Sequence, residues 1–327
     1  MTGKTIALIQ VDGTLPNLAL MKLATWHKQQ GDKVTIIKDK HVTTRLVPFD
    51  KVYISCIFDE NKAIALEMEK QFENAELGGV GVDSPKKLPP EIEHIMPDYD
   101  LFGIDYSVGF TTRGCIRNCY FCKVPKHEGK IFANCDIYEF WDKRHKEIII
   151  MDNNILAMPE HFKKIAKQIN DNKLRVDFNQ GLDHRLLTPE LCKILLNLKH
   201  MYEIRFAYDS PSYKPTVIKA LKMLRDAGLK DWRTRWYCYI GVNDDFYSAY
   251  ERIEFLRQNK QLVYVMRDRK VYNKPEFIAL SSWANYPGAF KQGTFKEVIE
   301  YTKANKHHQP IVDKYINHKK EEKVNKL

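Results

Sequence analysis

Three of the chain's seven cysteines, Cys115, Cys119 and Cys122, fall within eight residues, in a stretch that begins Thr111-Thr112-Arg113-Gly114 and places Tyr120 and Phe121 just before the last thiol. Thiolates at C-x₃-C-x₂-C spacing on a short irregular loop can converge on one metal centre. The count matters as much as the spacing. An iron–sulfur cubane held by three cysteines keeps one iron without a protein ligand, open to a substrate or cofactor. The other four cysteines, Cys56, Cys135, Cys192 and Cys238, are scattered singly and read as buried thiols. An odd total with one crowded triplet argues against a secreted disulfide framework and for a metal site in a reducing compartment.

The C-x₃-C-x-aromatic-C pattern of Cys115, Cys119, Phe121 and Cys122 resembles that of the radical S-adenosylmethionine (SAM) enzymes. The resemblance implies a [4Fe-4S] cluster on Cys115, Cys119 and Cys122, with Phe121 beside the SAM adenine. It implies that SAM chelates the open iron, that one electron cleaves it to methionine and a 5′-deoxyadenosyl radical, and that this radical abstracts hydrogen from a substrate. A flavodoxin- or ferredoxin-like protein is the electron donor that such chemistry implies.

The elements that must position these thiols can be read from periodicity. Apolar runs of strand length at 5–11, 34–37 and 52–58 alternate with helical spacing at 18–29 and 62–73, and the glycine-rich 78–82 reads as a further short strand. This alternation predicts a Rossmann-like, doubly wound α/β domain over residues 1–100. Prolines across 85–97 mark a linker. Beyond it, strands are predicted at 106–111, 147–151, 174–178, 203–207, 235–240 and 262–266, with helices at 159–170, 189–198, 214–227 and 245–259. Six strands alternating with helices predict a partial (β/α)₆ TIM-like barrel over 101–285, with the cysteine loop at the C-terminal end of its first strand, where parallel barrels place their sites. Residues 286–327 are expected to form a helical extension and a basic tail.

The predicted strand ends are polar: Asp152-Asn153-Asn154, Asn179-Gln180-Gly181, Tyr208-Asp209-Ser210 and Gly241-Val242-Asn243-Asp244. As a set they favour a binding site, since charge-assisted hydrogen bonds there suit the zwitterionic and ribose parts of SAM. By resemblance, Asp152 and Asn153 take the place of the family's Gly-Gly-Glu stretch, and Tyr239-Ile240-Gly241 is similar to the motif that backs the adenine. The expected cofactor contacts are therefore Phe121, Asp152, Asn153, Asn179, Asp209, Ile240 and Gly241.

The N-terminal domain is similar in position to the cobalamin-binding domain of one branch of the family. That branch carries Asp-x-His-x-x-Gly after its first strand, whereas this chain has Asp39-Lys40-His41-Val42-Thr43-Thr44 after its second. Cobalamin ligated by His41 is not expected; the domain is a scaffold, or holds cobalamin without protein ligation. Methylthiotransferases place three further cysteines in this domain, and here there is only Cys56.

The net charge is +10, with lysines gathering in the tail at Lys314, Lys319, Lys320, Lys323 and Lys326. Arg113, Arg117, Lys123, Lys126 and His127 surround the cysteine loop, and Trp232 to Tyr237 interleaves cations with aromatics. A polyanionic partner, a nucleic acid or nucleotide, is the substrate class this charge favours; a solvated lysine-rich surface explains it as well. No run of eighteen apolar residues and no cleavage-site pattern occur, so a cytoplasmic protein with no membrane partner is expected. The alternative function is a zinc-containing nucleic-acid-binding protein, with Cys119, Cys122, His127 and Cys135 as a stretched zinc knuckle.

Overall fold

A computed structural model describes residues 3–38, 48–84, 86–301 and 303–317. His41 and its flanking motif lie outside the described residues, as do Lys319, Lys320, Lys323 and Lys326. The chain divides into two compact units, Met1–Val176 and Asp177–Leu327. Both are mixed α/β with parallel sheets. Among the described residues no helix is long and apolar enough to cross a membrane.

In the first unit, β1 (Thr5–Gln10), β2 (Lys33–Ile37), β3 (Lys51–Ser55) and β4 (Ala75–Gly78) form one parallel sheet in the order β2-β1-β3-β4. The apolar run of β1 explains its central place, because a parallel strand covered on both faces needs no polar alternation. Ile6, Ala7, Leu8 and Ile9 are completely buried. Helix Leu18–Gln29 begins where Asn17 accepts from the Leu20 N–H at 3.2 Å, and the same amide donates to Ser55 Oγ at 2.7 Å, tying the helix start to the end of β3. Such a cap is worth about 1 kcal/mol.

The strand expected over 78–82 is displaced. β4 ends at Gly78, and Val80–Val82 is a 3₁₀ turn. A Cβ on Gly79, where φ is +106°, would lie 2.1 Å from the Cys56 carbonyl oxygen. Gly79 and Gly81 serve backbone-to-backbone approach rather than strand formation. The proline-rich segment is also more structured than a bare linker. It contains helix Pro90–Glu93, held by Lys22 Nζ on Glu93 Oε1 at 2.9 Å.

Continuing through the first unit, β5 (Ser107–Gly109) pairs in parallel with β8 (Glu147–Ile150), while β6 (Thr112–Arg113) and β7 (Phe132–Ala133) form a two-residue antiparallel ladder. β9 (Arg175–Phe178) carries the chain across the division between the units. In the second unit a two-residue strand, β10 (Lys199–His200), precedes β11 (Ile204–Ala207), β12 (Thr234–Ile240) and β13 (Leu262–Arg267). These last three form a parallel sheet in that order. Thr234, Trp236, Cys238 and Ile240 of β12 are buried, and the residues between them are only partly covered. Trp236 therefore packs in the core while Arg235 and Tyr237 take the opposite face. All six strands expected after residue 100 are present at their expected places.

Candidate cofactor site

The cysteine loop leaves β5 through Thr111, whose backbone N–H and hydroxyl both donate to the Asp152 carboxylate, at 2.6 and 2.5 Å. Asp152 follows β8 and is 5% exposed. Burial pushes its carboxyl up to about 6, against the opposing pull of the Thr111 hydrogen bonds. The β6–β7 ladder then closes the base of the loop. Gly114 has a φ of +76°, and a Cβ there would sit 2.3 Å from the Lys130 carbonyl oxygen, so only glycine fits the entry. The Cys115 N–H donates to the Gly129 carbonyl at 3.1 Å, and the Cys122 N–H turns back onto the Cys119 carbonyl at 3.0 Å.

Cys115 and Cys119 are partly exposed and Cys122 is exposed, and none is in a disulfide. The Cys115 sulfur receives the Arg117 N–H at 3.3 Å and the Asn154 side-chain amide at 3.6 Å. Donors aimed at a ligating sulfur stabilise its thiolate and raise the potential of a cluster bound to it. Phe121 stands edge-on to Tyr120, with centroids 5.2 Å apart. Among the described residues no group of three or more His, Cys, Asp or Glu side chains is drawn together around the space of a single metal ion. A cluster binds its thiolates at separate irons, so its ligands stand further apart than those of one ion. Three accessible thiols on one anchored loop, one of them already facing N–H donors, fit such a cluster.

Asn153 is not left open toward a cofactor by its amide group, which donates to Glu128 Oε2 at 2.9 Å. That same oxygen accepts the Gly114 N–H at 2.8 Å, and Glu128 Oε1 meets the Arg113 guanidinium at 3.2 Å. The cationic collar read from the sequence is largely compensated. Besides Arg113, Lys123 pairs with Asp59, and Lys126 and His127 reach Asp83 at 3.0 and 3.5 Å. Cys135 donates its S–H to the Phe110 carbonyl at 3.1 Å, and burial pushes the thiol up to about 12.

The other four expected contacts lie in the second unit. Asn179 follows β9, and its carbonyl accepts the Tyr237 hydroxyl at 3.0 Å. Asp209 follows β11 and accepts the Tyr239 N–H at 3.0 Å; burial pushes its carboxyl up to about 6, with that N–H and Arg252 pulling the other way. Ile240 is completely buried, so it offers the strand end only backbone, and its carbonyl accepts the Asp268 N–H at 2.8 Å. The Gly241 N–H donates to Asp244 Oδ2 at 2.8 Å. Arg252, 2% exposed, organises this end of the sheet by pairing with Asp244 and donating to the carbonyls of Tyr208 and Tyr239 at 3.4 and 3.3 Å.

No family model matches the sequence, and no curated protein matches it. Solved structures do. A cysteine and serine double mutant of spore photoproduct lyase with bound AdoMet and dinucleoside spore photoproduct is 10% identical, covering 84% of this chain and 80% of its own, with a TM-score of 0.35. A single cysteine mutant of the same lyase with the dinucleoside spore photoproduct is 11% identical at the same coverage, with a TM-score of 0.36.

Thr111, Glu128 and Arg252 are the residues that sequence reasoning missed. Thr111 lies inside the quoted motif, but its partner is 41 residues away, and Glu128 is 14 residues from Gly114. No local spacing signals either contact.

Proposed function

We propose that this chain is a radical SAM enzyme, with a Rossmann-like domain over 1–100, a partial (β/α)₆ barrel over 101–285 and a C-terminal extension over 286–327. The observation that carries the reading is the cysteine loop itself: three thiols at C-x₃-C-x₂-C spacing at the end of a parallel strand, with two N–H donors on the Cys115 sulfur. Cys115, Cys119 and Cys122 would hold a [4Fe-4S] cluster. The chemistry supplied when cluster and SAM are bound is one-electron cleavage of SAM to a radical that abstracts hydrogen from a substrate.

The chain's own groups divide the remaining work. Asp152 fixes the start of the loop through Thr111, and Asn153 through Glu128, so both act as positioning residues. Phe121 is the proposed adenine neighbour. In the second unit Asn179, Asp209 and Gly241 are the proposed polar contacts to SAM, with Ile240 contributing backbone. The proposed substrate class is a nucleic acid or nucleotide, supported by the net charge of +10 and by the partly covered face of β12, where Arg235, Tyr237 and Tyr239 alternate. A flavodoxin- or ferredoxin-like protein is the proposed electron donor, and cobalamin is not part of the reading.

The test is anaerobic reconstitution followed by iron and sulfide analysis and a SAM cleavage assay. The intact protein is expected to hold about four irons per chain with matching sulfide and to release 5′-deoxyadenosine on reduction. Cys119→Ala is expected to lose both. An intact protein that forms no cluster and cleaves no SAM overturns the reading, and one zinc without sulfide replaces it with the zinc-containing nucleic-acid-binding alternative.

A further inference from the structure

We infer that Glu128 is the positioning residue that sets the mouth of the cysteine loop, an inference that rests on the cluster reading above. One carboxylate ties together three pieces of chain. Its Oε2 accepts the Gly114 N–H at 2.8 Å and the Asn153 amide at 2.9 Å, and its Oε1 lies 3.2 Å from the Arg113 guanidinium. Gly114 precedes the first thiol, Glu128 follows the last thiol, and Asn153 belongs to the turn after β8. The next residue, Asn154, directs its own amide at the Cys115 sulfur. Glu128 thus fixes the backbone on one side of Cys115 and the turn that supplies one of its N–H donors on the other.

Beyond the buried Thr111–Asp152 tie at its start, the ion pairs further along this loop are weaker by their surroundings. Lys126 is 70% exposed and Asp83 41% exposed, and pairs so open to water contribute little. The Glu128 side chain is 17% exposed, and its carboxylate accepts from a backbone N–H, so its hydrogen bonds are charge-assisted and less screened. Gly114 also has no side chain with which to hold itself in its left-handed conformation, so its N–H bond to Glu128 and the Cys115–Gly129 bond beside it carry that task.

The test has a readout on the metal-free full chain and one on the reconstituted protein. Hydrogen exchange at the Gly114 amide is expected to speed up about tenfold or more in Glu128→Ala, the size of effect a charge-assisted bond supports. On reconstitution Glu128→Ala is expected to hold less than half the iron of the parent and to lose it faster to a chelator. Glu128→Gln keeps an acceptor oxygen for the Gly114 N–H and is expected to restore most of the protection and iron. Lys126→Ala serves as the control and is expected to leave both unchanged. Glu128→Ala and Asn153→Ala combined are expected to cost no more than the larger single change. Unchanged Gly114 exchange in a folded Glu128→Ala overturns the inference, as do additive effects of the two alanine variants. If Glu128→Ala does not fold, Glu128→Asp decides, because its shorter side chain cannot span the same gap: faster Gly114 exchange and lower iron with native circular dichroism support the role, and parent-like exchange and iron overturn it. A parent that binds no iron removes the cluster reading alone, because the exchange comparison on the metal-free chain still stands or falls by itself.

Discussion

Asp152 shows how a residue legible by its place can carry a contact that spacing does not reveal. Its place after a strand marked it as a polar group near the thiols, and it is there, but both carboxylate oxygens are taken by Thr111. Its folded-state value of about 6 lies above the ordinary carboxylate value of 3.8. The native state therefore holds this proton over a pH range in which the unfolded chain has released it, and the contribution to stability falls as pH rises from about 4 to about 6. The full effect is worth about 3 kcal/mol. Asp152→Asn keeps an acceptor for the Thr111 N–H and removes the titration. The expected result is that the variant gains thermal stability relative to the parent as pH rises through that window; a difference in Tm that does not vary with pH contradicts it. Gly114→Ala belongs to the same scale. The left-handed φ and the 2.3 Å approach to Lys130 both oppose a Cβ. A loss of about 2 kcal/mol or more in urea unfolding is expected, with reduced iron uptake. The cysteines announced themselves by spacing; Thr111 and Glu128 did not, because their roles exist only once distant strands are adjacent.

At the level of elements, apolar runs and helical spacing located the strands well. β12 was readable because Trp236, Cys238 and Ile240 alternate with partly covered neighbours, and helix Phe246–Gln258 was readable because Asp245 caps it by accepting the Ser248 N–H at 2.7 Å. The 78–82 segment was not, since its valines suggest a strand while its glycines answer to the backbone of Cys56 and Phe58. Arg252 was equally hidden, as arginine on a helix ordinarily faces water. Here it joins that helix to two strand-end carbonyls and Asp244. Arg252→Ala leaves the partly covered Asp244 carboxylate and two strand-end carbonyls without their cation and is expected to destabilise the fold by about 3 kcal/mol. Arg252→Lys, which restores the charge without the fork, should recover part of it, as measured by urea denaturation.

For the whole molecule, alternation of strand and helix was enough to indicate an α/β chain with parallel sheets. The division at Val176 and Asp177 was not legible, because it falls inside the continuous strand β9 and no composition change accompanies it. Charge was legible as a sum of +10 but not as an arrangement, since Arg113, Lys123 and Lys126 beside the cysteines are each matched by an acid distant in sequence. The nucleic-acid proposal makes a prediction at this scale. Binding to a single-stranded oligonucleotide, followed by fluorescence anisotropy, should weaken by at least about tenfold between 50 and 200 mM salt. No binding at low salt would leave the positive charge as surface solvation only.

The two-residue ladder between β6 and β7 has one more consequence. It sets Arg113 opposite Phe132, so the chain enters and leaves the thiol-bearing segment at neighbouring points. The ladder, with the Cys115–Gly129 and Gly114–Glu128 bonds beside it, meets the entropy of closing that segment, a cost that grows only slowly with length. The segment is thus pinned twice, at its base by the ladder and along its length by Glu128 on Asn153 and Asn154 on Cys115, so a change in its length is felt in the turn after β8 rather than in the ladder.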